Sequence, residues 1–450
     1  MEEDLYHGSS SPGSLTKRME KIEDKLKKAI DVASERLKYE SAHNEELVGA
    51  LRIVERFIRR KKRVCYGGTA MNMILPAAKR FYNPDLDLPD YDFYTSELDR
   101  DVEELVRDLK EAGYKDVYHR VGMHEGTKKI LVNFVAVADV SAIEPELFAV
   151  LYRRSIQKDG IHYTDPDILR MMMYLELSRP RGEVERWEKV FERLQLINHE
   201  FPVEGSKLCR DSAGRHDVAP IPMELRSVIL NYVIEQQRIL CNGPMVALYK
   251  RGIQHGDAKY LMKPGGPLLF TSPDPKSDAI TLKKLLRRKD LRIFLHKSRG
   301  EIVPERFELR FGNRTACLIV KESACHSYNN IPLEDGRILY IGSPEFLITL
   351  YLSLTIFTAH SGEVLGDKPM CLVKSMVDLA MQNYSARHSQ FPAFALSCRG
   401  HQTGYASLLR AKVERIQREK QAQKSPGPAK SGTKRQRHRR AGSLRKKKGD

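Results

Sequence analysis

The residues best able to do chemistry lie in DLDLPDYDFYT, positions 85 to 95, where four aspartates form two Asp-x-Asp pairs, Asp85/Asp87 and Asp90/Asp92. Residues two apart on a strand project from the same face, so such a pair can present two carboxylates to one cation. Pro89 decides between the pairs, because proline suits the position just before a strand. After it, Asp90-Tyr91-Asp92-Phe93-Tyr94-Thr95 alternates acid with aromatic, which predicts a strand with Asp90 and Asp92 on one face. Asp85 and Asp87 fall in NPDLDLP, where aspartates commonly serve turns.

A lone Asp-x-Asp fits a solvated strand face equally well; two further features change that reading. VCYGGTAMNMIL places Gly67 and Gly68 where an apolar strand meets a helix, so backbone amides and the Thr69 hydroxyl can approach a phosphate closely. The spacing is not that of a Walker A loop, since no Gly-Lys-Ser/Thr follows. Asp139 ends ILVNFVAVAD (130 to 139), which reads as one buried strand, and a carboxylate there is costly to desolvate unless it meets a cation. Three carboxylates and a phosphate-cradling turn suit two-metal nucleotidyl transfer, with one ion activating a hydroxyl and the other binding a triphosphate.

The elements around these residues have to position them. Residues 17 to 60 read as helix, with Met19, Ile22, Leu26 and Ile30, then Leu47, Leu51, Val54 and Phe57, at helical spacing. A helix starting near Ser96 and ending at Gly113 separates the acidic strand from the one ending at Asp139. Residues 166 to 196 read as two helices broken at Arg179-Pro180. Polar residues from Val203 to Val218 predict a domain boundary, followed by a second mixed α/β unit. That unit has Gly265-Gly266, but no Asp-x-Asp follows in a strand, and the acid of SPDP (272 to 275) lies between prolines. The expected layout is a leader over 1–16, helices and a catalytic domain over 17–200, a second domain over 215–408, and a basic helix with a disordered tail over 409–450.

The composition agrees with a globular chain bearing appendages. At 450 residues and 41% hydrophobic content it can build more than one core. The formal charge is +17, yet residues 421–450 hold eleven Lys or Arg against Asp450, which leaves only +7 for the other 420 residues. The tail, including Arg435, Arg437, Arg439, Arg440, Lys446 and Lys447, therefore carries most of the attraction for a polyanion such as RNA, and it also fits a nuclear import signal. Seven scattered cysteines without Cys-x-x-Cys indicate neither a zinc site nor a disulfide framework, and Cys317, Cys325 and His326 read as structural. No apolar run reaches the ~18 residues of a membrane helix, and MEEDLYHGSSSPGS is not a signal peptide, so a reducing intracellular compartment and no membrane are expected.

The order Gly-Gly-Thr, Asp-Tyr-Asp, single Asp resembles the nucleotidyltransferase superfamily that includes polymerase β-like enzymes. More narrowly, VCYGGTAMNMILP, LPDYDFYT, MYLELSRPRGEVERWEKVFERLQLIN and CHSYN (325 to 329) resemble the poly(A) polymerase catalytic subunits of large nucleocytoplasmic DNA viruses. The resemblance covers most of residues 45 to 360 and implies an α/β (α+β) fold with tandem nucleotidyltransferase-like domains, the second noncatalytic. It implies addition of adenylates from ATP to RNA 3′ ends, with Asp90, Asp92 and Asp139 holding Mg²⁺ or Mn²⁺ and Gly67, Gly68 and Thr69 holding the nucleotide. Asn72 either contacts the nucleotide or packs. Arg186 or Lys189, on EVERWEKV, either meets the triphosphate or belongs to a solvated face, and Tyr163 either stacks on a base or packs. By the same resemblance the partners are an RNA 3′ end, a second copy of the chain as homodimer, or a stimulatory viral subunit, and the setting is the host cytoplasm or the virion. The competing readings are a terminal transferase for another nucleotide and an RNA-binding or virion protein that has lost turnover.

Overall fold

A computed structural model describes residues 12–203, 209, 220–243, 245–251, 265–359, 362–366, 368–388 and 391–424. The six tail residues named above and most of the expected boundary at 203–218 lie outside the described residues. The first described elements are α1 (Pro12–Ala42) and α2 (Glu45–Lys61), broken where Asn44 caps α2 by accepting from Leu47 N–H. α2 buries Leu51, Val54 and Phe57, whereas Met19, Ile22, Leu26 and Ile30 of α1 stay exposed.

The first sheet contains β1 (Val64–Tyr66), β2 (Tyr91–Thr95), β3 (Val117–Val121), β4 (Thr127–Val132), β5 (Val135–Ala142), β6 (Ile156–Lys158) and β7 (Ile161–Tyr163), in the order β3-β4-β5-β2-β1-β7-β6. α3 (Gly67–Ile74) follows β1, α4 (Leu98–Glu111) follows β2, α5 (Pro145–Arg154) follows β5, and α6 (Pro166–Leu177) and α7 (Trp187–Glu200) close the lobe. α4 buries Val102, Leu105 and Leu109 and ends before Gly113, whose φ of +100° is the left-handed conformation that glycine permits.

Two expectations need correction, on the strand over 130–139 and on the cysteines, and the alternative left open at Tyr163 is decided for packing. The segment 130–139 is not one strand but a hairpin, with Asn133 and Phe134 at φ of +48° and +67° in the turn, so Asp139 sits within β5 rather than at a strand end. Tyr163 is buried in β7 opposite Cys65, which leaves it no face on which to stack a base. Two disulfides occur, Cys209–Cys371 and Cys325–Cys398, pairing residues 162 and 73 apart in sequence. Cys317 is free and buried, and His326 stacks on Phe346, so this cluster is structural.

The second lobe contains α8 (Met223–Glu235), β8 (Ile239–Leu240), α9 (Met245–Arg251), β9 (Leu268–Ser272), α10 (Pro275–Leu286), β10 (Leu291–His296), β11 (Arg306–Phe311), β12 (Arg314–Lys321), β13 (His326–Pro332) and β14 (Ile338–Gly342). α11 (Pro344–Phe357), α12 (Gly362–Leu365), α13 (Pro369–Ser385), β15 (Cys398–Arg399) and α14 (Tyr405–Lys424) complete it. Its sheet order is β10-β11-β12-β9-β8-β14-β13-β15. Strand by strand this repeats the first: β12 runs parallel to β9 as β5 does to β2, β9 is antiparallel to β8 as β2 is to β1, and β8 is parallel to β14 as β1 is to β7. The counterpart of Gly67-Gly68, just after β1, is therefore Asn242-Gly243 beyond β8, and not Gly265-Gly266.

Candidate active site

β1 delivers the chain to the glycine turn, and β2 and β5 bring the acids to it. β2 pairs with β1 so that Asp92 lies opposite Tyr66, and with β5 so that Asp92 lies beside Asp139. Asp92 and Asp139 thus come together through sheet register alone. Gly67 leaves room for them: at its φ of +72°, a Cβ there would stand 2.5 Å from Asp92 Oδ2. Both the backbone conformation and the space require glycine. Tyr66 stacks on Tyr94 with ring centroids 4.1 Å apart and shares a hydrogen bond of 2.9 Å with Ser141, which fixes the floor under the acids.

Asp90 precedes β2 instead of lying within it. Its backbone N–H donates to Thr69 Oγ1 at 3.1 Å, and its carbonyl accepts from Asp92 N–H at 3.1 Å. Thr69, buried in α3, therefore ties the acidic strand to the glycine helix. Asp85 and Asp87 lie in a turn closed on Asn83, with Asp87 accepting from Asn83 N–H and Asn83 Oδ1 from Asp85 N–H.

The acids feel one another. Burial, then the neighbouring Asp90 and Asp139 charges, push the Asp92 carboxyl up to about 8, against the opposing pull of Lys129 and Arg186. Asp90 is raised by burial and by Asp139, with Lys129 and Lys189 opposing. The Lys129 ammonium stands 2.7 Å from Asp139 Oδ1, its cross-strand partner. Among the described residues, no three His, Cys, Asp or Glu side chains are gathered closely enough to hold a metal ion. The donor set nonetheless suits a hard divalent cation, because it is made of carboxylate oxygens whose mutual repulsion a cation would offset.

Of the remaining candidates, Lys189 is exposed on α7 with its charge acting on Asp90. Arg186 pairs with Glu176 at 3.3 Å and Glu183 at 2.7 Å. Asn72 is buried, and its side-chain oxygen accepts from the backbone N–H groups of Phe81 and Tyr82 at 2.9 and 3.0 Å. It thereby clamps the loop after α3 against that helix. Gly68 faces this loop, since a Cβ on it would meet the Tyr82 hydroxyl and would stand 3.0 Å from Arg193 Nη1.

Sequence reasoning missed Lys129 and Arg193. Arg193 lies over the Phe81 ring at 4.5 Å and donates to the Tyr82 hydroxyl at 3.3 Å, which holds a guanidinium beside the glycine turn. Its spacing of four from Lys189 puts both on one face of α7, and that was a usable signal. Reading Asn133-Phe134 as a turn would set residue 129 opposite Ala138; the register shift between Ile130 and Leu131 moves Lys129 to Asp139, and that shift is not visible in the sequence.

This geometry has relatives. Residues 52–183 match the family described as "Poly(A) polymerase catalytic subunit". The chain is 31% identical over 182 residues to a protein of Acanthamoeba polyphaga mimivirus named "Putative poly(A) polymerase catalytic subunit", a match covering 40% of this chain and 30% of that protein. An African swine fever virus protein of the same name is 29% identical over 186 residues, covering 40% of this chain and 39% of the relative. The chain thus spans well under half the length of the curated relatives it matches. In fold it is similar to the Megavirus polyadenylate synthase, with a TM-score of 0.72 and 19% identity over 94% of this chain and 87% of that one.

Proposed function

We propose that this chain, a poly(A) polymerase catalytic subunit-like protein of the nucleotidyltransferase superfamily, adds adenylates from ATP to RNA 3′ ends. The observation that carries the reading is the placement of Asp92 beside Asp139, in register, against the glycine turn that only Gly67 can make. Asp90, Asp92 and Asp139 would hold Mg²⁺ or Mn²⁺, which when bound supplies activation of the RNA 3′-hydroxyl and charge neutralisation of the leaving pyrophosphate. The Gly67-Gly68 turn and the start of α3 offer backbone N–H groups to the triphosphate. Arg193 and Lys189 add positive charge on the α7 side, while Thr69 and Asn72 hold the acidic strand and the 80–82 loop in place. The choice of adenosine rests on the relatives.

In the second lobe Leu269 and Leu318 stand at the register positions of Asp92 and Asp139, which supports a noncatalytic copy. Self-association as a homodimer is supported by the exposed Met19, Ile22, Leu26 and Ile30 on α1; a monomeric mass by light scattering would count against it. The basic tail would tether RNA in a viral factory of the host cytoplasm or in the virion, or act as an import signal. The test of the activity is incubation with an RNA primer and each of the four labelled NTPs. Extension with ATP alone is expected; preferential use of UTP, or no incorporation at all, would overturn the reading.

A further inference from the structure

Within residues 1–420 the most basic stretch of this length lies in the second lobe. Residues 283–299, KKLLRRKDLRIFLHKSR, contain Lys283, Lys284, Arg287, Arg288, Lys289, Arg292, Lys297 and Arg299 against one acid, Asp290. That stretch alone equals the net +7 of residues 1–420, so the rest of those residues are neutral on balance. The stretch forms the end of α10 and the whole of β10, the outermost strand of the second sheet.

β10 also exposes apolar surface where a strand edge would ordinarily hide it. Phe294 is 42% and Leu295 50% exposed. Arg292, Phe294 and His296 alternate onto one face and lie opposite Arg310, Glu308 and Arg306 of β11. The acids of this surface are already engaged: Asp290 by Arg288, Glu308 by His296, Thr315 and Arg310, and Glu363 by Thr315 and Arg310. Basic residues along an outer strand also discourage pairing between sheets, but that purpose does not call for an exposed ring among them.

The surface leads toward the catalytic lobe. Arg299, just beyond β10, stands 3.5 Å from Glu146 of α5, and Glu301 stands 4.0 Å from Arg179, the second residue after α6. Glu176, near the end of α6, pairs with Arg186, whose charge acts on Asp92.

From these observations we propose that β10 and the end of α10 form a binding surface for single-stranded RNA, with the arginines and lysines taking phosphates and Phe294 stacking on a base. The inference rests on the reading of the protein as an RNA 3′-end transferase and assigns part of its RNA path to the second lobe. Base stacking on a ring is indifferent to sequence, so the surface grips RNA without choosing it.

The test measures binding of a short, unstructured, fluorescein-labelled RNA to the full chain without ATP, over a range of salt. The triple variant Lys289→Glu, Arg292→Glu, Lys297→Glu is expected to bind roughly tenfold or more weakly at low salt, with a slope of log affinity against log salt smaller by about 2, since each phosphate contact on a single strand contributes about 0.7. Phe294→Ala is expected to weaken binding by about tenfold with the slope unchanged. Should the triple variant fail to fold, Lys297→Gln alone must still reduce the slope by about 0.7. Wild-type affinity and slope in these variants would overturn the proposal, as would variants that lose only the capture of an acidic polypeptide. Failure of the transferase reading looks different: the wild type would bind RNA through this surface yet extend it with no nucleotide.

Discussion

Asp92 and Asp139 in the first lobe stand where Leu269 and Leu318 stand in the second, and Lys129 stands where Glu308 does. Yet the two lobes share an ion pair. Arg63, just before β1, donates to Asp101 of α4 at 2.6 Å, and Arg238, just before β8, donates to Asp278 of α10 at 2.7 Å. Each aspartate lies six residues past the last residue of the preceding strand, Thr95 or Ser272. The two lobes share the interaction that joins helix to sheet and differ in the residues proposed to bear on chemistry. At the position of Gly67 the second lobe has Asn242, whose side chain accepts from Leu269 N–H at 2.7 Å and donates to the Pro267 carbonyl at 2.8 Å. A side chain fills the space that Gly67 leaves to a carboxylate.

The comparison breaks most visibly if Gly67 is made to resemble its counterpart. Gly67→Asn is expected to cost roughly a hundredfold or more in the rate of single-nucleotide addition, because the new Cβ displaces Asp92 and misplacement of a reacting group by about 1 Å has that effect. The reverse change, Asn242→Gly, should lower thermal stability and leave that rate alone.

The shared ion pair should matter to stability in both lobes. Asp278→Ala strands the Arg238 guanidinium in a poorly solvated site and is expected to destabilise by roughly 3–5 kcal/mol in urea unfolding, whereas Asp101→Ala leaves Arg63 its second partner, Glu97, at 2.9 Å and should cost less. For Asp278 this sharpens the distinction: the variant should be less stable while the folded fraction keeps its turnover.

A smaller effect separates the lobes by pH. Asp92 has its proton affinity raised to about 8, so the folded state holds that proton after the unfolded chain has released it. The resulting stability is complete below about pH 4 and is lost as pH rises toward 8. The metal-free protein should therefore melt at progressively lower temperature between pH 5 and about 8. Asp92→Asn should flatten that decline, whereas Leu269→Asn, at the counterpart position, should not.

What the sequence disclosed was local. The strand, glycine turn and helix over residues 64–74 and the acid-aromatic alternation of 91–95 are readable because neighbouring residues specify them. The hairpin at Asn133-Phe134 was hidden because a bulky residue at positive φ is rare, so Phe134 reads as strand. The disulfides join residues too far apart for spacing to betray them. Arg193 is held beside Gly68 by Phe81 and Tyr82 of the 80–82 loop, which Asn72 clamps. The duplication is carried by strand register and by an Arg–Asp pair, and a sequence in which leucines replace aspartates gives no repeat to see.

The central claim is that chemistry resides in the first lobe's carboxylates and not in the second lobe. Its most direct test is the rate of adding one adenylate to a saturating RNA primer by Asp92→Asn, Asp139→Asn and Leu318→Asn, each verified as folded by its melting transition. The account predicts a loss of about a thousandfold or more for the two aspartate variants, in keeping with the several kcal/mol that cation-held charge contributes, and a rate near wild type for Leu318→Asn. Near-wild-type addition by Asp92→Asn, or a comparable loss in Leu318→Asn, would contradict it.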